Sequence, residues 1–204
     1  MDSRQWDERY GGDELVWTST PNQFLVAEVA GLPVGRAVDL ACGEGRNSIW
    51  LAEQGWQVAG VDFSAVGLAK AKRFAELWDV KVTWLESSVE DWVSPPGGFD
   101  LVALLYLQLP QPARAAALAV AASAVGPGGM LLVVAHDLDN LTHGYGGPPN
   151  PDVLYEVSDV TGAAVAADLT VERAEQAVRV VDSDDGPREA IDIVVRARRV
   201  AGSL

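Results

Sequence analysis

Five apolar, β-rich runs, Ala37–Leu40, Gln57–Asp62, Val80–Leu85, Asp100–Leu105 and Met130–His136, alternate with segments of helical pattern, and the chain then breaks the alternation with two β-rich runs in succession. Nearly continuous apolar strands suit a parallel sheet buried on both faces, and β-α-β-α order winds such a sheet with helices on either side. The closing runs, Leu169–Val181 and Ala190–Arg199, flank Asp182-Ser183-Asp184-Asp185-Gly186-Pro187. An Asp-Gly pair at the centre of such a segment forms a tight reversal, so these runs are expected to make an antiparallel hairpin. The expected class is α/β, doubly wound and mostly parallel, with an antiparallel C-terminal edge.

The helices are punctuated by their own residues. Asn47–Gln54 is stopped by Gly55, Ser64 caps a helix running to about Trp78, and Pro112–Val125 is an alanine-rich helix closed by Gly126-Pro127-Gly128-Gly129. Near the front, Thr20 caps a helix that begins at Pro21 and ends before Gly31. With no internal repeat and no long linker, residues 1–204 are expected to form one domain, residues 1–35 being a front lid and helix and 137–155 a loop on the substrate side.

Composition removes several classes of function. The chain has 49% apolar and 22% charged residues, enough to build a core, and a net charge of −14 with no dense basic run, which argues against nucleic acid as a partner. No apolar stretch reaches the length of a membrane span, and the start has no export segment, so a cytoplasmic protein is expected. One cysteine and two histidines leave too few ligands for a structural zinc site, and no metal is expected. Oligomeric state leaves no trace in the sequence.

The chemistry is concentrated in Ala37-Val38-Asp39-Leu40-Ala41-Cys42-Gly43-Glu44-Gly45-Arg46-Asn47-Ser48, a strand, a glycine turn and the start of a helix. Glycines let the backbone approach a ligand, and a helix start offers unpaired N–H groups and partial positive charge. Asp62 ends the next strand, where a carboxylate can accept both hydroxyls of a ribose. A dinucleotide fingerprint needs a third glycine where Ser48 stands and has no use for Asp39, whereas Asp39 beside the turn can accept from the ammonium of an amino-acid ligand. Amino acid, ribose and adenine are combined in S-adenosylmethionine.

The run from Asp39 to Ala52, followed by Val58–Ser64, resembles the first two motifs of class I S-adenosylmethionine-dependent methyltransferases. Its Gly45-Arg46-Asn47-Ser48 portion is similar to the tellurite-resistance and thiopurine methyltransferase-like group. The resemblance, which covers about Trp6 to His136, implies a Rossmann-like seven-stranded sheet whose last strand is antiparallel. It implies that Asp39, Ala41, Cys42, Gly43 and Asn47 surround the methionyl part, with Asp62 on the ribose, Phe63 beside the adenine, and Gly45 and Leu105 near the cofactor. Ser88, Val89 and Glu90 fall where the family holds the adenine edge; Ser88 replaces a common Asp, leaving the acceptor open among Ser88, Glu90 and Asp91.

Two departures narrow the substrate. After the fourth strand the chain reads Leu105-Tyr106-Leu107-Gln108-Leu109-Pro110, not the Asn/Asp-Pro-Pro-aromatic motif of many amino-group methylases of nucleic acids and proteins. The segment from Asp137 to Asn150 does not match the tellurite-resistance group either. The expected activity is therefore methyl transfer to a small-molecule acceptor, neutral or cationic given the acidic chain, with S-adenosylhomocysteine as product. A regulatory protein that binds S-adenosylmethionine without chemistry, and a nicotinamide-dependent oxidoreductase, are the alternatives.

Catalytic candidates are His136 at the end of the fifth strand, Tyr106 after the fourth, and Tyr10 in the aromatic front segment Trp6–Tyr10 that Trp17 follows. An aromatic face there can attract a sulfonium cation. Cys42 is expected to be a small neighbour of the ligand and not a nucleophile; Trp50, Trp56, Trp78, Trp84 and Trp92 are expected to pack.

Overall fold

The computed structural model describes residues 3–12, 14–16 and 18–201. Strands β1 (Arg36–Leu40), β2 (Gln57–Asp62), β3 (Val82–Glu86), β4 (Phe99–Leu105), β5 (Val125–His136), β6 (Leu169–Val181) and β7 (Arg188–Arg199) form one sheet in the order β3-β2-β1-β4-β5-β7-β6. The first five are parallel, and β7 runs antiparallel to both β5 and β6. The seven-stranded sheet with its C-terminal hairpin is therefore as expected. The helices are α1 (Ser3–Tyr10), α2 (Gln23–Val29), α3 (Arg46–Glu53), α4 (Ala65–Leu77), α5 (Ala113–Ser123), α6 (Asn140–His143) and α7 (Val157–Ala166).

The unbroken apolar runs follow from the two covered faces. Along β5, Leu131, Val133 and Ala135 enter one core with Ala117, Leu118 and Ala121 of α5 and Val160 of α7. Met130, Leu132 and Val134 enter a second with Phe24, Leu25 and Val29 of α2 and Leu51 of α3. Side chains alternate across a strand, so each run must be apolar at every position when neither face meets water.

Four boundaries differ from expectation. Asn22, not Thr20, caps α2, because its side-chain oxygen reaches the N–H groups of Phe24 at 2.9 Å and Leu25 at 3.1 Å. The alanine-rich helix ends at Ser123, and Gly126–Gly129 lie inside β5: a Cβ at Gly126 would stand 2.5 Å from the Gly97 carbonyl oxygen, so glycine permits the close approach of β5 to the turn before β4. β3 begins at Val82, since the Val80 N–H still bonds the α4 carbonyl of Ala75 at 3.0 Å. The segment after His136 is not wholly loop: it contains α6, and Asn140, buried, accepts from Ile191 N–H at 2.7 Å and donates to the Gly146 carbonyl at 2.9 Å. Helix α7, whose capping box pairs Glu156 with Asp159, was not foreseen.

Among the described residues no helix is long and apolar enough to cross a membrane, and no group of three His, Cys, Asp or Glu is placed to hold a metal ion.

Candidate active site

A cavity of about 850 Å³ opens at the carboxyl ends of the parallel strands, the edge at which open α/β sheets bind ligands. Ala41, Cys42 and Gly43 line it from the end of β1, Asp62 and Phe63 from β2, Leu105 and Tyr106 from β4, His136 from β5 and Arg179 from β6, while Trp6 and Tyr10 of α1 line it too. The volume lies within the range that takes a small organic ligand.

The turn after β1 is shaped for close approach. Gly43 has φ of +55°, and a Cβ there would stand 2.7 Å from the Tyr10 hydroxyl. Gly45, with φ of +80°, faces the Trp84 ring, 2.6 Å from where its Cβ would lie. Ala41 and Tyr106, each with φ of 57°, also adopt the left-handed region, a strained state that concentrates at functional sites.

Asp62 ties the two ligand-facing turns together: Oδ2 accepts from the Gly43 N–H and Oδ1 from the Ser64 N–H, both at 2.8 Å. Burial raises its pKa although these N–H groups favour the charge. Asp39, 1% exposed, lies behind the cavity lining and accepts from Ser48 Oγ at 2.7 Å. Burial raises its pKa to about 6, against the opposing Ser48 bond and the Arg46 charge. Asn47 accepts from the Asn22 N–H at 2.9 Å, joining α3 to the front of α2. Cys42 is buried and its thiol is pushed well up by burial, which makes it a poor nucleophile.

Ser88, Val89 and Glu90 stand outside the cavity lining. Ser88 Oγ donates to Asp91 at 2.9 Å, and Val89 packs in the core. Trp56 and Trp92 are buried, as a packing role requires; Trp50 packs against the core and also lines the cavity, and Trp78, exposed, lines it too. His143, on the exposed α6, does not reach it.

The front segment is clasped over the site. Asp7 accepts from Ser64 Oγ at 2.5 Å, and Trp6 stacks on Tyr10 with ring centres 5.3 Å apart. Glu44 and Lys70 form a buried ion pair at 3.0 Å; Glu44 also accepts from the Val16 N–H and Lys70 donates to the Glu14 carbonyl at 2.7 Å. Trp17 lies outside the described residues.

At the other end of the cavity three side chains converge on a residue that sequence reading missed. Asp192 of β7, fully buried, accepts from Tyr106 Oη at 2.8 Å and Arg179 Nε at 2.8 Å on Oδ2, while Oδ1 meets His136 Nδ1 at 3.0 Å. Burial alone would raise its pKa, but the bonds from His136, Arg179 and Tyr106 and the Arg179 charge outweigh it and hold the carboxyl below its usual range. A proton on His136 Nδ1 suits this carboxylate, and Nε2 is then the ring nitrogen left to face a ligand. Burial and the Asp192 charge push the Tyr106 phenol up, so it stays protonated. A lone acid in the apolar run Ala190-Ile191-Asp192-Ile193-Val194-Val195 is the signal that could have found it.

Residues 37–129 match the model of a methyltransferase domain family. The chain is 30% identical over 190 residues to glycine N-methyltransferase of Mus musculus, covering 83% of this chain but 62% of that protein, so it spans about three fifths of the relative's length. It is 31% identical over 134 residues to a ubiquinone biosynthesis O-methyltransferase of Marinobacter nauticus, covering 64% of this chain and 56% of that protein. Among solved structures, one described under the conversion of a disulfide bond into a thioacetal group during echinomycin biosynthesis superposes with a TM-score of 0.77 at 20% identity, covering 98% and 93% of the two chains. TehB of Haemophilus influenzae superposes at 0.71 with 15% identity, covering 97% of this chain and 66% of its own. These structures share the fold; no particular substrate group within the methyltransferases is singled out by them.

Proposed function

Taking the methyltransferase-domain match over residues 37–129 and the shared fold as premises, we propose that this chain is an S-adenosylmethionine-dependent methyltransferase acting on a small molecule. The observation that carries the reading is the joint geometry of the β1 and β2 turns: Gly43, at φ of +55°, turns its N–H onto Asp62, and Asp62, held by two N–H groups, lines the cavity beside Phe63.

The residues present fit the cofactor. Each Asp62 oxygen has a second lone pair for a ribose hydroxyl, and the buried Asp39, hydrogen-bonded to the neutral Ser48 hydroxyl, suits a cationic group, through water since it stands behind the lining. Arg46, at the start of α3, and the N–H groups of that helix suit the methionyl carboxylate. Trp6 and Tyr10, stacked on one another, put aromatic rings along the cavity wall. When bound, the cofactor supplies a methyl group already activated on a sulfonium leaving group. The chain's own work is to orient the acceptor, exclude water with the α1 cover, and, for a protic acceptor, take up its proton at His136 Nε2 while Asp192 stabilises the imidazolium.

The relatives act on small molecules by name, glycine and a ubiquinone precursor, and the absence of a dense basic patch in the sequence supports the same for this chain. A dinucleotide reading is disfavoured because Ser48, in the place of the third glycine, is fully buried and spends its hydroxyl on Asp39. The test is release of S-adenosylhomocysteine from S-adenosylmethionine across hydroxyl, amine and thiol acceptors. Binding with no turnover on any acceptor would instead support a regulatory ligand-binding role.

A further inference from the structure

Holding His136 in one tautomer needs a single carboxylate oxygen, and Tyr106 already bonds the other, yet Arg179 is also brought to Asp192 from the edge strand β6. Its Nε is spent on Asp192, and the guanidinium stands over the Tyr106 ring, 5.7 Å from the centroid, lining the cavity beside His136. A guanidinium anchored through Nε keeps its two Nη groups, the fork that meets a carboxylate with paired bonds. Arg46 lines the same cavity; burial lowers its pKa, the Arg179 charge adds to this, and among the described residues it forms no ion pair. Asp192 is shared among Arg179, His136 and Tyr106, and the acids lining the cavity do not pair with Arg46: Glu44 is paired with Lys70, Asp62 is bonded to two N–H groups, and Glu53 and Asp182 are exposed.

We propose that the methyl acceptor is a small carboxylate carrying a hydroxyl or amino nucleophile close to that carboxylate, with Arg179 binding the carboxylate and thereby setting the nucleophile against His136 Nε2. This rests on the methyl-transfer reading above and adds the substrate class to it. The chain-wide charge of −14 favoured a neutral or cationic acceptor, but a guanidinium at contact distance in a half-buried cavity outweighs surface acids screened by water and salt. A cavity of about 850 Å³ must also hold the cofactor, which restricts the acceptor to a small molecule.

In the reaction the acceptor's oxygen or nitrogen forms the new bond to the methyl carbon as the carbon–sulfur bond of the sulfonium breaks, and that electron pair remains on sulfur. The acceptor's proton passes to His136 Nε2 and then to solvent, and the carboxylate is unchanged. Asp192 acts as a positioning residue for both partners, because one carboxylate fixes the imidazole and the guanidinium together.

Calorimetry and S-adenosylhomocysteine release test this with matched pairs: lactate against lactamide, salicylate against salicylamide, glycine against glycinamide, with a simple phenol and a simple thiol alongside. With S-adenosylhomocysteine saturating, at least one acid is expected to bind while its amide does not, and with S-adenosylmethionine the same acid is expected to give an N- or O-methyl product that keeps its carboxylate. Arg179→Gln is expected to raise KM for the acid about 30-fold or more with kcat within about threefold, and to abolish the preference for acid over amide. His136→Gln is expected to lower kcat about 100-fold with little change in KM. Failure of S-adenosylhomocysteine to bind would sink the methyl-transfer reading itself. If it binds, the carboxylate proposal is overturned by any of these: no acid in the panel binding, amides or the neutral phenol or thiol serving as well as acids, a methyl ester as product, or an unchanged acid preference in Arg179→Gln. The wild-type comparison of acid with amide decides even if a variant fails to fold.

Discussion

Asp39 should make the ligand-free protein less stable as pH rises, and Asp39→Asn should remove that dependence. Burial raises its pKa from 3.8 to about 6, so the folded state holds this proton more tightly than the unfolded chain does. More protons bound in the folded state means that stability falls as pH rises between the two values and then levels off. At 1.36 kcal/mol per unit, the ionised buried carboxylate costs on the order of 3 kcal/mol at neutral pH. Asparagine occupies the same space, can still accept from Ser48 Oγ, and does not ionise; any cost of its amide N–H groups is independent of pH. Urea unfolding followed by tryptophan fluorescence should therefore show the stability difference, variant minus wild type, widening by about 2 kcal/mol in favour of the variant between about pH 4.5 and pH 7.5. The variant should gain this at the expense of cofactor affinity, since the same anion is proposed to face the methionyl ammonium. Parallel stability curves for the two proteins across that pH range would refute the reasoning.

Asp62→Ala removes a charged acceptor from the proposed ribose site and from two N–H groups, and should weaken S-adenosylhomocysteine binding about tenfold or more by calorimetry. Gly45→Ala should lower stability by roughly 2 kcal/mol or more in denaturant titration, because φ is +80° and the new Cβ would meet the Trp84 ring. Lys70→Met leaves Glu44 buried without its cation and should cost about 3–5 kcal/mol, with faster proteolysis of residues 14–20, while the Glu44→Gln, Lys70→Met pair should recover part of the loss.

The sheet and the cofactor turn were legible because their signals are local. Apolar runs, the Asp-Gly reversal of the hairpin, the Ser64 cap and the spacing from Asp39 to Asp62 each sit within a short window, and the β1 and β2 turns meet because those strands are neighbours. The acceptor side was illegible for the opposite reason. Tyr106, His136, Arg179 and Asp192 come from four strands, and Asp192 lies 86 residues from Tyr106 and 56 from His136, so only the pairing of β7 with β5 and β6 assembles them. His136 and Tyr106 were identified as candidates from their places at strand ends, but their shared carboxylate was not. The Gly126-Pro127-Gly128-Gly129 run misled because such runs terminate helices more often than they open a strand; here the close approach to Gly97 and Phe99 decides. Of the front aromatics, Trp6 and Tyr10 line the cavity, and the pairing of Glu44 with Lys70 across 26 residues, which bonds residues 14 and 16, is one no pattern announces.

The most direct measurement is parallel calorimetric titration of the wild-type chain with S-adenosylmethionine, S-adenosylhomocysteine and NAD at neutral pH. The expected result is saturable binding of the first two at one site per chain and none of NAD. Binding of NAD, with neither adenosyl sulfur compound bound, would contradict the cofactor assignment on which the proposed function rests.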